Sequence, residues 1–258
     1  MTNNNNEYNV YKRHAQYWNW SGHDRSLEDE YWYNYAKRYG NNVLIPMCAL
    51  GETGAYMAQK GMTVTAFDLT PEMIEEGTKR FGNLPGLTLL VGDVTNFQFN
   101  IPLIDFCFSI DFEILHTIDE IKKAFICINK HLRNGAGFII EALLPPKESN
   151  VWPLETYKPF TKVYPDRKVW KTGSGHNDAE TGRRYISQTF HIEYDTDGRL
   201  ESFDHSFYLQ CYSYEEWISA FNECGFSIMG EYKNRELQNW KSGGSDFIFF
   251  ETVKSSTV

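Results

Sequence analysis

Short apolar runs alternate with amphipathic stretches between residues 43 and 142, and this alternation limits the possible fold more than any other feature. The apolar runs are Val43–Met47, Thr63–Phe67, Leu87–Val91, Asp105–Ile110 and Gly137–Ala142, and the helix candidates between them are Thr53–Lys60, Pro71–Phe81 and Asp119–Leu132. Strands and helices that alternate at this spacing form βαβ units, whose right-handed crossovers build a parallel sheet. The sequence therefore predicts a doubly wound α/β fold with a ligand crevice at the carboxyl ends of its strands.

The flanking segments predict further elements. Residues 8–39 carry aromatic side chains at irregular helical spacing and predict two short helices, whereas residues 147–182 contain many prolines and glycines and predict loops. Two alternating runs, Tyr185–Tyr194 and Arg199–Tyr208, predict a hairpin, and a helix over Ser213–Cys224 precedes two final strands. We divide the chain into an N-terminal helical lid (1–40), a core (41–145), an antiparallel β and loop insert (146–212) and a closing helix and hairpin (213–258).

Charge and composition exclude several kinds of partner. The 258-residue chain has a net charge of −9 and no basic stripe of the kind that nucleic acid requires. Its five cysteines include no CxxC pair, so we predict neither a disulfide framework nor a zinc site, and we expect no metal dependence. No apolar run reaches the roughly 18 residues of a membrane-spanning helix. We expect a cytoplasmic protein that binds a small molecule, with neither nucleic acid nor membrane as a partner.

The segments that follow the first three strands contain residues suited to a nucleoside. The first strand runs into the small-residue turn Met47–Gly51, which lets the backbone approach a ligand closely. Asp68 ends the second strand, where a carboxylate can accept both hydrogen bonds of a ribose diol. The third strand ends in Gly92-Asp93-Val94, where Asp93 would receive an adenine amino group and Gly92 would leave space beside the ring. Met73 is expected to fall beside the same edge.

The order of these segments, with Asp68-Leu-Thr-Pro-Glu-Met73 followed by Gly92-Asp-Val94, resembles the class I S-adenosylmethionine-dependent methyltransferases over roughly residues 41–144. The resemblance implies a Rossmann-like, mostly parallel seven-stranded sheet with an antiparallel C-terminal strand, and S-adenosylmethionine as cofactor. It also implies the contacts of each part of the cofactor: Met47, Ala49 and Gly51 at the methionine, Asp68 and Leu69 at the ribose, Asp93 and Val94 at the adenine, and Ser109 and Ile110 beside the sulfonium.

Two further features bear on this resemblance. The segment Arg133–Gly137 takes the place of the family's Pro-Gly-Gly turn before the fifth strand. The aromatic N-terminus and the hairpin insert resemble the small-molecule N-methyltransferases of sugar and glycine metabolism, which favours N-methylation of a small acceptor over O-methylation.

Departures from the family pattern leave two alternatives open. Ile45, Met47 and Ala49 stand where the family usually has an acidic residue and two glycines, and a side chain at Ala49 crowds a backbone position that needs a positive φ. A catalytically inactive S-adenosylmethionine-binding module is therefore one alternative. The segment Ala49–Gly54 is also one residue from the GxGxxG fingerprint, so an NAD-dependent dehydrogenase is the other, although the chain lacks a second mononucleotide-binding half.

Methyl transfer from a sulfonium requires alignment, exclusion of water and, for some acceptors, a base. His116 is the first candidate base, because an unperturbed histidine has a pKa of about 6.5. Glu113 and Asp111 are further candidates on the same loop after the fourth strand. Tyr11 and Tyr17 are expected to fold over the cofactor as an aromatic lid.

Overall fold

The computed structural model describes residues 15–17, 26–153, 161–235, 237–240 and 246–255. Its helices of eight residues or more are α1 (Ser26–Tyr39), α2 (Glu52–Gln59), α3 (Pro71–Phe81), α4 (Ile118–His131) and α5 (Tyr214–Glu223). Its strands are β1 (Asn42–Pro46), β2 (Thr63–Asp68), β3 (Leu87–Val91), β4 (Ile104–Ser109), β5 (Leu132–Leu143), β6 (Asn150–Pro153), β7 (Thr161–Val163), β8 (Arg167–Asp178), β9 (Arg183–Tyr194), β10 (Leu200–Gln210), β11 (Phe226–Tyr232) and β12 (Phe247–Lys254). Within these ranges no helix combines the length and apolar content needed to cross a membrane.

The main sheet has seven strands in the order β11-β12-β5-β4-β1-β2-β3. Strands β1 to β5 pair in parallel, and β12 pairs antiparallel with both β5 and β11. This confirms the predicted doubly wound, mostly parallel sheet with an antiparallel C-terminal strand. The strand order reverses between β1 and β4, so their carboxyl ends border the crevice in which such sheets bind ligands.

Aromatic side chains fill both sides of the main sheet. On one side α4 and α5 bury Phe125, Trp217 and Phe221, and the rings of Phe125 and Phe221 stack at 4.9 Å. On the other side Trp32 of α1 stacks on Phe108 of β4 at 4.2 Å. Much of the aromatic content therefore forms the core, because these large rings remove the most apolar area from water.

The ends of several elements follow from local sequence signals. Thr117 begins α4 and Ser213 begins α5, each within a capping box completed by Glu120 or Glu216. Pro71 occupies the first turn of α3, where its missing N–H costs no helical hydrogen bond. Residues 133–137, which we predicted as a turn, are instead part of β5, and the β4–β5 register shifts beside them.

A second, antiparallel sheet is built from the order β10-β9-β8-β6, with β7 also paired to β8. The predicted hairpin is present as β9 and β10. The prediction that residues 147–182 are loops is wrong, because β8 pairs with β9 along its whole length. Gly175 lies inside β8 because the ring of Trp152 on β6 occupies the place of a side chain: a Cβ would lie 2.0 Å from that ring. A glycine that makes room for a cross-strand aromatic looks in sequence like a loop signal.

A buried carboxylate attaches α1 to the sheet. Glu251 of β12 accepts hydrogen bonds from the hydroxyls of Tyr39 (2.6 Å), Tyr232 (2.9 Å) and Tyr35 (3.3 Å), and Arg38 lies 3.0 Å away. Because only 3% of Glu251 is exposed, these four partners replace its hydration.

Candidate active site

The turn after β1 is held in an unusual backbone conformation. Met47, Ala49 and Gly51 all have positive φ, at 54°, 51° and 79°. Left-handed backbone costs a residue with a side chain on the order of 1 kcal/mol, so the surrounding contacts must enforce it at Met47 and Ala49. Cys48 N–H donates to the Phe67 carbonyl (3.0 Å), and Gly51 N–H donates to the Cys48 carbonyl (2.9 Å). The turn thus has positive φ at Met47 and Ala49, the two positions at which the family usually has glycine.

Asp68 links this turn to the end of β2. Its Oδ2 accepts the Ala49 N–H and its Oδ1 accepts the Thr70 N–H, both at 2.9 Å. Burial raises the pKa of Asp68 above its ordinary value, and these two N–H bonds oppose that rise. A carboxylate has about four lone-pair sites, so each oxygen can still accept a hydroxyl. Asp68 is therefore both a brace for the turn and a candidate acceptor for a diol.

Apolar side chains lie beside Asp68 at the strand ends. Leu69 is 58% exposed and Val91, which pairs with Asp68 in register, is 48% exposed. Val91 was not among the residues singled out from the sequence, although its place as the last residue of β3 was a usable signal. Val94 is buried in the core, which leaves its backbone as the part nearest the edge.

Asp93 and Gly92 contact residues a few positions further along the chain. Asp93 is exposed, and its Oδ1 accepts both the N–H and the hydroxyl of Thr95, which forms a turn. The space that we expected Gly92 to leave for adenine is filled on its Cβ side, where an added Cβ would meet the Phe99 ring at 2.6 Å.

Buried residues of α3 and of the N-terminal segment pack against the turn after β1. Met73 of α3 packs with Leu50 and with Ala15 of the N-terminal segment. Gly77 of α3 lies so close to the turn that a Cβ there would come within 2.2 Å of the Leu50 carbonyl oxygen. Because Gly77 has no side chain, α3 can pack this close to the turn.

The end of β4 lies against the end of β1. The buried Ser109 hydroxyl donates to the Pro46 carbonyl (3.1 Å), which joins the two strands at the point where the strand order reverses. Ile110 follows with a partly exposed side chain, and Asp111 then adopts a left-handed φ of 63°. The chain therefore turns sharply at the crevice.

Carboxylates gather just beyond this point. Glu113 lies in a short 3-10 helix, is 1% exposed, and its Oε1 accepts the Leu143 N–H at 2.5 Å. Burial, with smaller contributions from Asp111 and Glu141, raises the pKa of Glu113 to about 8. Burial also raises the pKa of Glu141 to about 7, although Arg235 lies 3.6 Å from its carboxylate. The structure thus brings Asp111 and Glu113 together with Glu141, which we had not singled out.

His116 faces a different part of the surface. Its ring stacks on Tyr208 at 4.0 Å, and it lines a groove of about 440 Å³ with residues such as Pro145 and Gln210. None of the residues that line this groove belongs to the turn after β1 or to the ends of β2 and β3. His116 is thus separate from the predicted cofactor residues, although Cys211 and Tyr212, which also line the groove, lie within electrostatic reach of Glu113.

Tyr17 of the N-terminal segment packs against the insert, where its ring centroid lies 6.2 Å from that of Phe203. Tyr11 lies outside the described residues.

Comparison with known proteins identifies the core. The family model of a methyltransferase domain matches residues 43–135. The core of this chain is a class I methyltransferase domain. A putative methyltransferase, YqeM of Bacillus subtilis (strain 168), is 21% identical over 224 residues, which cover 84% of this chain and 85% of that protein.

Solved methyltransferases share the fold of the whole chain. The sugar N-methyltransferase KedS8 from Streptoalloteichus sp. matches with a TM-score of 0.73 at 15% identity, over 96% of this chain and 93% of that one. The amino pentose methyltransferase CalS10 from Micromonospora echinaspora, solved with S-adenosylmethionine bound, matches with a TM-score of 0.67 at 18% identity, over 95% and 97%. The shared fold therefore extends beyond the core domain to the insert and the closing strands. The match of the core to a methyltransferase domain argues against the dehydrogenase alternative.

S-adenosylmethionine is the cofactor of this methyltransferase, and the residues present fit it. Asp68 offers lone pairs for a ribose diol, and the exposed apolar side chains of Leu69 and Val91 flank it where a purine needs apolar cover. In addition, the left-handed turn from Met47 to Gly51 lies beside the strand end that carries Asp68.

Proposed function

We propose that this methyltransferase methylates an amine nitrogen of a small molecule, and that Asp111, Glu113 and Glu141 receive the amine. The observation that carries the proposal is the position of Asp111 and Glu113 directly after the end of β4, with Glu141 on the neighbouring strand β5, beside the switch in strand order. A group of acids favours a positively charged acceptor over a neutral hydroxyl. The similarity to a sugar N-methyltransferase and to an amino pentose methyltransferase supports the same choice.

The cofactor residues are proposed in the roles that the sequence suggested. Met47, Ala49 and Gly51 would hold the methionine part through the turn, Asp68 the ribose, and Leu69, Val91, Asp93 and Val94 the adenine, with Met73 as support. Ser109 and Ile110 would border the sulfonium, and Tyr17 would cover the ligand. When bound, S-adenosylmethionine supplies a methyl group that is already activated by a positively charged sulfur.

The carboxylates would prepare the acceptor. An alkyl amine is mostly protonated near pH 7 and is nucleophilic only after it loses that proton. Asp111, which is exposed, would attract the ammonium, and Glu113 would take the proton on Oε2, since Oε1 is bonded to Leu143. Because burial raises the pKa of Glu113 to about 8, the ionised form that accepts this proton is a minor fraction at pH 7 and becomes the main form above pH 8, so transfer should increase over this range. We prefer Glu113 to His116 because the His116 ring stacks outside this group.

A transfer assay with paired acceptors tests the proposal. Purified protein is incubated with S-adenosylmethionine and either an amino sugar or the sugar that has a hydroxyl in place of the amine, and product is detected by mass spectrometry. We expect methylation of the amine alone, and we expect Glu113→Gln to lower kcat by on the order of 10²-fold without changing S-adenosylhomocysteine affinity. Equal transfer to the hydroxyl sugar, or an unchanged kcat in Glu113→Gln, would refute the proposal. Tight cofactor binding without transfer to any amine would instead favour an inactive binding module.

We also propose a cytoplasmic location, supported by five cysteines that are all free thiols.

A further inference from the structure

One face of the second sheet carries polar side chains among apolar ones. The strand register places Lys171 opposite Phe190, and Phe190 opposite Phe203. The next row contains Gly173, Gln188 and His205. We call the side of the sheet that carries these two rows the inner face. Since side chains alternate along a strand, Lys171, Gln188 and His205 all point to this side.

The inner face lies over the cofactor edge. Phe190 and Phe203 pack with Tyr17, and Ala15, two residues earlier, packs with Leu50 of the turn after β1. At the other end of the face, Arg184 donates to the Leu144 carbonyl at the end of β5 (3.3 Å). The row of Gln188 and His205 lies between these two contact points. It therefore faces the strand ends between the turn after β1 and the end of β5.

The polar groups on this face are hydrogen-bond donors. Gln188 and His205 are 6% and 2% exposed, and the Gln188 amide nitrogen lies 3.0 Å from His205 Nδ1. Because the amide donates, Nδ1 accepts, and the hydrogen of a neutral ring is on Nε2. Burial and the nearby Lys171 ammonium lower the pKa of His205 to about 4, so the ring is neutral near pH 7. Burial lowers the pKa of Lys171 to about 8, which leaves it mostly charged at that pH.

We infer that Lys171 and His205 form a subsite that binds an oxyanion of the methyl acceptor, a phosphate or a carboxylate. This inference rests on the proposed function, because it takes the acceptor to lie between the inner face and the strand ends. A half-buried ammonium and a buried N–H donor on one face match the charge and the acceptor oxygens of such a group. The acceptor thus carries an anionic group at the insert and an amine at the carboxylates after β4.

Direct anion binding tests the subsite without knowledge of the acceptor. Inorganic phosphate and acetate are titrated by calorimetry into the full chain saturated with S-adenosylhomocysteine. We expect Lys171→Met to weaken binding of the preferred anion by at least about tenfold, and Lys171→Arg to restore most of it. Lys168→Met, on the same strand but on the exposed side, is the matched control and should bind as the wild type does. Stronger binding of phosphate or of acetate distinguishes a phosphate ester from a carboxylate.

The outcomes separate this inference from the proposed function. Equal anion affinity in the wild type and Lys171→Met, or no binding of either anion by the wild type, overturns the subsite even when amine methylation is intact. Conversely, Lys171-dependent binding with no amine methylation overturns the proposed function alone. If Lys171→Met does not fold, His205→Leu removes the second donor, and an unchanged anion affinity in that variant also refutes the subsite.

Discussion

The buried carboxyl of Glu113 should make the stability of the protein fall as the pH rises. Its pKa is about 8 in the folded chain, against the ordinary value of 4.5 for an unburied glutamate. Between these values the folded state keeps a proton that the unfolded state releases, so each pH unit costs about 1.4 kcal/mol of stability. Over the whole interval the cost is roughly 4–5 kcal/mol, present at pH 8 and absent near pH 4.5. Glu141, with a pKa raised to about 7, adds a smaller effect of the same sign.

The substitution Glu113→Gln isolates this effect. Glutamine keeps an oxygen that can accept the Leu143 N–H but does not ionise. We expect the variant to match the wild type within about 1 kcal/mol at pH 5 and to exceed it by several kcal/mol at pH 8. The measurement is the free energy of unfolding in urea at pH 5, 6, 7 and 8, with Glu148→Gln as an exposed control. Parallel curves for Glu113→Gln and the wild type would show that the carboxyl is not buried as described.

Three further substitutions test other parts of the structure. Asp68→Asn should weaken S-adenosylhomocysteine binding by about 1.5–3 kcal/mol, because it removes the charge that a diol would bond; unchanged affinity in calorimetry contradicts the ribose role. Gly77→Ala should destabilise the fold by about 1–3 kcal/mol, since its Cβ would press on the Leu50 carbonyl, whereas Gly61→Ala, with open space around it, should cost only its positive-φ strain; similar melting temperatures would refute this. Glu251→Gln should cost about 2–4 kcal/mol in urea unfolding by leaving tyrosine hydroxyls and Arg38 poorly paired, and a change below about 0.5 kcal/mol would show that α1 is attached by packing alone.

Local patterns predicted the core well because each element there satisfies its own sequence rule. The runs that became β1 to β4 are apolar over strand length, and α3 and α4 begin at recognisable caps. By contrast, β8 violates the local rule: Gly173 and Gly175 lie in mid-strand, and the reason for Gly175 is a tryptophan from another strand. A single sequence does not reveal such long-range pairs.

The candidate site shows the same difference between local sequence signals and contacts made only in the folded chain. The turn residues and Asp68 were singled out from the sequence because they are adjacent to strand ends, and their role in binding stays a prediction. Glu141 was missed because it interrupts the apolar run of β5 and meets Glu113 only through the fold. The left-handed conformations of Met47 and Ala49 were equally out of reach, because the hydrogen bond from Ala49 N–H to Asp68 joins residues 19 positions apart in the sequence.

Residues 15–17 touch the layer beneath the cofactor turn through Ala15 and the insert through Tyr17. In the arrangement that we propose, the cofactor lies at the turn and the acceptor under the insert, so both ligands would bind against elements that this short stretch connects. Thermodynamic reciprocity then requires any change in donor affinity caused by the acceptor to equal the change in acceptor affinity caused by the donor. Saturation of the donor site would thus change the affinity of the acceptor site, and the reverse, without a separate regulatory domain.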